Sequence, residues 1–368
     1  MSQTHYPRTL HMELGRRRLG GTMQVYYLTR ELHKAGAECL LVTPDGSPLH
    51  QLAAAEGVPC APIRYAGDID ALSIFKLFNI IRNFKPDIVH IHSRRGADIW
   101  GSLAARLAGG CKVILARRVD DPIAPGPLNR LRYGPLCDRV VAVSQGIVKA
   151  LVAGGIPAAK IRQVYSSIEA HKYQSDETPG AMRAELGLPQ EGPVLGVIAQ
   201  LIPRKGHRFL IDALPLIQAR HSGTSLLFLG VGESEADLHA QIERLGLQQS
   251  VVFAGYRDDV GRVLRAMTLL VHPATMEGFA NVAMQAQAAQ IPVVTADVGG
   301  MPESVADGET GLVVPPQDPQ ALADAINALL DDPERRQAMG VAGKARVESR
   351  FTVDAMVQGT LAIYRELS

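Results

Sequence analysis

Cysteine is scarce and scattered in this chain. Cys39, Cys60, Cys111 and Cys137 are the only four, and no two of them form a CxxC pair. This argues against the common zinc spacings and a disulfide framework, and it fits core thiols in a reducing compartment. Aromatic residues are few, with 1 Trp, 9 Tyr and 8 Phe in 368 residues. No apolar run approaches the roughly 18 residues that a membrane-crossing helix needs. The opening MSQTHYPRTLHMEL lacks the shape of a secretory signal, so a cytoplasmic location is expected. Several signatures of chemistry are missing as well. Gly230-Val231-Gly232 is not completed to GxGxxG, and GxxxxGK[ST], GxSxG and HExxH do not occur. Dinucleotide-dependent dehydrogenases, P-loop enzymes and zincin-type proteases are therefore weak readings.

What is present is a foldable chain with an internal charge asymmetry. With 46% hydrophobic and 20% charged residues, 368 residues can bury two cores of ordinary size. Residues 1–165 hold 22 Lys and Arg against 12 Asp and Glu, whereas the remainder holds 16 against 25. The arginines of the first half cluster at 16–18, 94–95, 117–118, and 130 with 132. Stacking aromatics do not accompany them, so nucleic acid is not an expected partner. An anionic lipid surface or a phosphorylated acceptor suits the clusters better, the plain alternative being a solvated basic face.

Strands alternate with helices along the whole chain. Strands are expected at 9–14, 38–43, 58–63, 88–91, 113–116, 139–143 and 160–164. After a polar stretch at 173–192 with Pro179, Gly180 and Pro189, read as a linker, a second series begins at 194–199. Strands continue at 226–229, 251–253, 269–272, 291–295 and 311–314, and terminal helices are expected at 319–330, 333–349 and 353–367. This grammar indicates parallel sheets covered on both faces, with ligands at the carboxyl ends of the strands. The expected division is 1–172, linker 173–192 and 193–352, with the last helix, 353–368, packing back on the first domain.

The richest stretch is His272–Gly311. Apolar Leu269–Val271 run into Glu277-Gly278-Phe279, a close-packed helix follows, then a β-branched strand and Gly299-Gly300. A glycine turn opening a helix gathers free N–H groups at the positive end of the helix dipole, which suits phosphate. Glu277 suits hydroxyls of a group attached to that phosphate, or it is simply a dipole partner of the helix. Arg204-Lys205-Gly206 follows the first strand of the second half. A fork-shaped cation beside a point charge suits a diphosphate, as it also suits a solvated turn. His90 and His92 share one face of a strand, as core residues or as a base near its carboxyl end.

The ordered segments KPDIVHIH (85–92), VVAVSQ (140–145), LIPRKG (201–206), FLGVGES (228–234), VVFAGYRDDV (251–260), HPATMEGFANVAMQAQA (272–288) and DDPERRQAMG (331–340) together resemble the retaining glycosyltransferases of family four. The resemblance implies the GT-B fold, two Rossmann-like domains facing each other across a cleft. It implies transfer of a sugar from a nucleoside diphosphate sugar, with a UDP-linked donor expected, to a glycolipid or surface-polysaccharide acceptor. No metal and no cofactor are expected, and contact with the inner face of a membrane is. By the resemblance Glu277, Lys205 and Arg204 are the catalytic group, with Glu277 on the sugar hydroxyls and the cations on the leaving diphosphate. Gly20, Gly21, Gln200, Gly230, Gly232, Tyr256, Arg257, Gly278, Phe279, Ala280, Asn281 and Gln285 fall on the donor side. His92, Arg94, Arg95, Arg117 and Arg118 fall on the acceptor side. Gln285 stands where the family usually has a second Glu, Gln200 where it has Arg, and Arg117-Arg118 where a His is common. A non-catalytic nucleotide-sugar-binding subunit and a nucleotide-sugar 2-epimerase are the competing readings.

Overall fold

A computed structural model describes residues 6–17, 19–65, 70, 72–93, 96–124 and 126–367. It divides into two compact units, residues 1–167 with 353–368, and residues 168–352. In chain order, unit one comprises β1 (Thr9–Met12), α1 (Gly20–Lys34), β2 (Cys39–Pro44), α2 (Pro48–Ala55), β3 (Cys60–Ile63), α3 (Ser73–Phe84), β4 (Ile88–Ile91), α4 (Ala97–Ala108), β5 (Lys112–Arg117), α5 (Pro127–Tyr133), β6 (Arg139–Ala142), α6 (Gln145–Ala153) and β7 (Ile161–Gln163). Unit two comprises α7 (Pro179–Glu185), β8 (Val194–Ile198), α8 (His207–Gln218), β9 (Ser225–Leu229), α9 (Glu235–Arg244), β10 (Val251–Gly255), α10 (Val260–Val263), β11 (Leu269–His272), α11 (Asn281–Ala288), β12 (Val293–Ala296), α12 (Met301–Ser304), β13 (Gly311–Val314), α13 (Pro319–Asp331) and α14 (Pro333–Arg350). The chain then returns to unit one as α15 (Val353–Arg365).

Both sheets are wholly parallel. Unit one has seven strands in the order β3-β2-β1-β4-β5-β6-β7. Unit two has six in the order β10-β9-β8-β11-β12-β13. These are the parallel sheets that the alternation of strands and helices indicated and the two Rossmann-like units that the resemblance implied. In each, the strand order reverses direction once, between β1 and β4 and between β8 and β11, and such switch points open a crevice at the strand ends. The strands are apolar on both faces because helices cover both, as with Leu195, Val197, Leu226 and Phe228 in the core of unit two. In unit one, Met356, Val357, Leu361 and Tyr364 of α15 share a core with Val25, Leu28 and Leu32 of α1.

The stretch 173–192 is a correction. It is no linker but an integral part of unit two, and the units meet in sequence at 167/168. Pro179 begins α7 rather than breaking the chain. It occupies the first helical turn after Thr178, whose hydroxyl accepts from the Ala181 N–H. Met182, Leu186 and Leu188 are buried against Val194 and Leu227. The short helices α5, α6 and α12 were likewise not anticipated.

Candidate functional site

The switch point of unit two gathers most of the residues singled out in the sequence. Gly206, between Lys205 and α8, has φ +73°, and a Cβ there would lie 1.8 Å from the Pro273 carbonyl oxygen. Only glycine lets the 203–206 turn lie against the chain leaving β11. The Thr275 N–H donates to the Arg204 carbonyl at 2.9 Å, and one Arg204 guanidinium nitrogen donates to the Met276 carbonyl at 3.3 Å. Two loops 72 residues apart in sequence are thereby fixed together. Gly230, with φ +145°, and Gly232 let the loop after β9 rest on the backbone of 199–201. The Gly300 N–H donates to the Glu277 carbonyl at 3.1 Å, which ties the turn to the chain after β12.

On this frame Lys205 forms an ion pair with Glu277, both side chains 12% exposed. Two donors converge on one oxygen of Glu277: Lys205 Nζ contacts Oε2, and His272 Nε2 donates to the same atom at 3.1 Å. Burial by itself would raise the Glu277 pKa. The hydrogen bond from His272 and the charge of Lys205 outweigh it and hold the carboxyl well below the usual carboxylate range. Burial keeps His272 neutral by lowering its pKa, against the pull of Glu277. Since a carboxylate only accepts, Nε2 carries the imidazole proton, and Nδ1 is buried with no hydrogen-bond partner among the described residues. Nearby His207 is pushed down to about 3, chiefly by burial and then by His272 and Lys205. His272 and His207 were not singled out as site residues. Their role depends on how a strand end faces a turn, which residue spacing does not display.

Glu277 lies just before α11. That helix begins at Asn281 after Ala280, with no side-chain cap on its first turn, so its leading N–H groups are available for an anion. Phe279 is buried edge-on against Phe351, ring centroids 5.5 Å apart. Gln285 Nε2 donates to the Tyr173 hydroxyl at 2.9 Å. Gln200 follows β8 at the same end of the sheet, and Tyr256 is exposed just beyond β10. Arg257, expected on the donor side, is drawn away from it. Its guanidinium binds Asp259 and Glu185 of α7, and those hydrogen bonds raise its pKa further.

Unit one arranges its strand ends differently. His11, His90 and His92 are all buried on one face of β1 and β4. Burial pushes His11 down to about 3 and holds His90 and His92 well below their ordinary value, so all three are neutral. Their nitrogens lie within 4.8 Å of one another, a spacing that could hold a metal ion. The hydrogen bonds commit two of them otherwise. Arg118 donates to His92 Nδ1 at 3.3 Å, which leaves the His92 proton on Nε2 facing His11 Nδ1 at 3.1 Å. The His11 Nε2 proton then faces Thr9 Oγ1 at 3.1 Å. His90 Nδ1 pairs with the Tyr364 hydroxyl at 2.7 Å.

The acceptor-side arginines separate. Arg94 and Arg95 lie outside the described residues. Arg117 is turned inward, its side chain 4% exposed. It donates to the Val119 and Asp121 carbonyls at 2.9 and 2.6 Å and to the Asp121 carboxylate at 2.9 Å. It braces the chain after β5, a structural task in place of the expected acceptor contact. Arg118 and His92 do meet, beside Gly21 at the start of α1.

Comparison with known proteins agrees with this architecture. Residues 20–172 match the model of Glycosyltransferase Family 4, and residues 180–346 that of Glycosyl transferases group 1. A GDP-mannose-dependent monoacylated alpha-(1-6)-phosphatidylinositol monomannoside mannosyltransferase of Corynebacterium glutamicum is 31% identical over 293 residues, 72% of this chain and 75% of the relative. A D-inositol 3-phosphate glycosyltransferase of Segniliparus rotundus is 38% identical over 191 residues, 50% of this chain and 42% of the relative. Among solved structures, Anabaena HepE in complex with UDP and glucose superposes with a TM-score of 0.85 at 23% identity, covering 98% of this chain and all of that one. A glycosyltransferase of Rickettsia africae gives 0.86 at 20% identity, covering 99% of each chain. The structural likeness carries the GT-B fold.

Proposed function

The chain belongs to the family 4 glycosyltransferases and is a glycosyltransferase enzyme, and from that premise we propose that it transfers a hexose, with retention, from a nucleoside diphosphate sugar to an anionic glycolipid or phosphorylated glycan. The observation that carries this reading is the Lys205–Glu277–His272 group at the switch point of unit two. Lys205 and His272 both hold Oε2 of Glu277, and the carboxylate so positioned accepts from sugar hydroxyls. The leading N–H groups of α11, from Asn281 on, with Arg204 and Lys205, receive the diphosphate. As the glycosidic bond breaks, negative charge grows on the departing diphosphate, and these fixed donors stabilise it without reorganising. The Glu277 carboxylate, ionised at neutral pH, strengthens its hydroxyl contacts as positive charge develops on the sugar. No general acid is needed on the leaving side, since a diphosphate departs readily.

The names of the relatives favour GDP-mannose over the UDP-linked donor expected from the motifs, because the mannosyltransferase matches across nearly three quarters of the chain. Those names also point to an inositol phosphate or a phosphatidylinositol-based glycolipid as acceptor. A membrane-borne acceptor suits unit one. Leu72 and Phe75 are 73% and 67% exposed at the start of α3, with Lys76 and Arg82 also exposed along that helix. No helix of the described residues is long and apolar enough to cross a membrane.

The test is transfer from GDP-mannose, UDP-glucose and UDP-N-acetylglucosamine to phosphatidylinositol vesicles and to free inositol phosphate, followed by mass spectrometry of the product. A mannosylated inositol product, absent with Glu277→Ala, supports the reading. Hydrolysis or epimerisation of a donor without any transfer to either acceptor refutes it.

A further inference from the structure

A cavity of about 570 Å³ opens in unit one, away from its switch point. Small-molecule sites span roughly 300–1,000 Å³. The cavity lies at the carboxyl ends of β2 and β3, where Pro44 pairs with Ile63 and the Asp45 N–H donates to the Ile63 carbonyl at 3.1 Å. Two helices leave from its wall. α2 starts after Ser47, and α3 starts at Ser73, whose N–H donates to the Asp70 carboxylate at 3.1 Å. Buried Pro44, Ile63 and Tyr65 give the wall an apolar part. Exposed Arg16, Asp45, Arg64 and Lys76 give it a charged one.

The three cations have no carboxylate within ion-pair distance among the described residues. Two of them are held by backbone instead. The Arg16 guanidinium donates to the Tyr65 carbonyl, and the Lys76 ammonium to the Arg64 carbonyl at 3.4 Å. Side chains from the loop after β1 and from α3 are thus both tied to the chain leaving β3. Each keeps donors to spare, since a guanidinium has five and an ammonium three. Asp45 stands among them. His50 Nδ1 lies 3.7 Å from its carboxylate, but that nitrogen accepts from the Gly46 N–H at 3.1 Å. It therefore carries no proton to give, and the carboxylate remains an acceptor at the cavity wall. A basic face in open solvent is merely solvated. Here the cations share a cavity with an apolar wall and one acid.

This combination selects a ligand. Three cations attract an anion, and Asp45 repels it unless hydroxyls come between, because a carboxylate only accepts. A hydroxylated ring that carries a phosphoryl group satisfies both. The place of the cavity selects which part of a ligand it meets. β2 and β3 lie on the far side of β1 from β4. Two strand spacings put the middle of the β2–β3 pair about 10 Å from the β1/β4 switch point. A group bound there is a neighbour of the reacting unit and not the reacting unit itself.

We propose that this cavity is a subsite for a sugar phosphate or cyclitol phosphate, the part of the acceptor that lies beyond the hydroxyl receiving the sugar. The Arg64 fork takes two phosphoryl oxygens, with Arg16 and Lys76 adding charge. Ring hydroxyls donate to Asp45, and ring carbons lie on Ile63 and Tyr65. The link to the acceptor rests on the proposed transferase reading, whereas the binding does not.

The experiment is calorimetric titration of the full chain with glucose 6-phosphate, inositol 1-phosphate, neutral myo-inositol and inorganic phosphate, with and without saturating GDP. Wild type is compared with Arg64→Met, Lys76→Met and Asp45→Asn. All three side chains are exposed and stand on different elements, and melting of each variant checks its fold. At least one of the two ring phosphates binds wild type, equally well beside GDP. Arg64→Met weakens it about tenfold or more, as the loss of a charge-assisted bidentate contact does, and Lys76→Met weakens it less. Asp45→Asn weakens the ring phosphate several-fold yet binds inorganic phosphate no more weakly than wild type does. Neutral myo-inositol binds at least about tenfold more weakly than inositol 1-phosphate, for want of the same charge-assisted contact. No binding of either ring phosphate by wild type, or equal binding by wild type and all three variants, overturns the proposal. Inorganic phosphate bound as tightly as the ring phosphates, with every anion tightened by Asp45→Asn, is the behaviour of a solvated basic face and overturns it too. So does displacement of the ring phosphate by GDP. Binding that depends on Arg64 and Asp45, in a protein that transfers no sugar, would sink the proposed function and leave this site standing. Transfer with the same acceptor KM in wild type and all three variants would do the reverse.

Discussion

The two sheets carry their charges at the switch points in opposite ways. In unit two the Lys205 ammonium already has the Glu277 carboxylate, which also has His272. In unit one three imidazoles are kept neutral by burial, and Arg118 forms no ion pair among the described residues, the nearby Glu13 carboxylate acting on it only through space. A paired site is assembled before any ligand arrives, and its charges are held at fixed positions and strengths. The same parallel βα scaffold thus supports a direct ion pair on one sheet and a cation bonded to a neutral imidazole on the other, and substitutions separate the two.

The largest effect is expected at Glu277. Glu277→Ala removes the acceptor for sugar hydroxyls and frees Lys205. Steady-state kinetics should show kcat falling about 10²- to 10³-fold, the scale on which a single preorganised electrostatic contact acts. Binding of the nucleoside diphosphate, followed by calorimetry, should change little. The same carboxylate contributes to stability with a definite sign. Its folded pKa lies below that of the unfolded chain, so the contribution is complete above about pH 4.3 and is lost as pH falls towards the folded value. Denaturant titrations of wild type and Glu277→Gln should differ at pH 7 and converge in acid. A gap that stays constant down the acid limb would remove Glu277 from the paired site.

Arg117 and Arg118 are adjacent, yet different outcomes are expected. Arg117→Met strips a buried guanidinium from the Asp121 carboxylate and two carbonyls. Losing those contacts should cost about 1–2 kcal/mol in urea unfolding, against a smaller loss for Arg118→Met. Equal destabilisation by both would erase the contrast between the two arginines. His272→Phe comes next. It keeps the ring volume and removes one of two donors on Glu277 Oε2. A roughly tenfold fall in kcat with KM nearly constant is expected, about 1.4 kcal/mol of positioning. His272→Asn, able to donate in place of Nε2, should restore part of it, whereas a purely packing role would make Asn the worse substitute.

Such pairs show where sequence stops being informative. Strands β4 and β11 were placed with their observed ends, because β-branched and apolar runs are bracketed by turn residues. The ligand-facing end of each sheet was legible for the same reason, since glycine turns fall at strand ends. Arg117 and Arg118 could not be told apart. Successive residues on a strand face opposite ways, and only the register of β5 decides which one meets Asp121 and which meets His92. The 173–192 stretch was misread because proline was taken as a breaker, when Thr178-Pro179 is a helix start. The His272–Glu277 contact depends on the path of a turn between them. The Lys205–Glu277 pair was legible only through family resemblance, because 72 residues separate the partners.

The smallest expected effect tests how complete the paired site is. Gln285 lies one helical turn inside α11, the helix whose N-terminus we propose receives the diphosphate, and its amide is occupied as a donor to the Tyr173 hydroxyl at 2.9 Å. Gln285→Glu replaces that donor with an acceptor. The Tyr173 hydroxyl can reverse and donate, so the contact survives, and the carboxylate gains a stronger bond to a ribose hydroxyl. The new charge also sits about one and a half turns from the helix N-terminus, where the dipole favours it weakly. Calorimetry should therefore show nucleoside diphosphate binding tightened only a few-fold, under about 1 kcal/mol, with melting temperature unchanged. Weaker binding would mean that a second negative charge opposes the diphosphate more than it helps the ribose, and that the glutamine is the better partner for a site already holding Glu277.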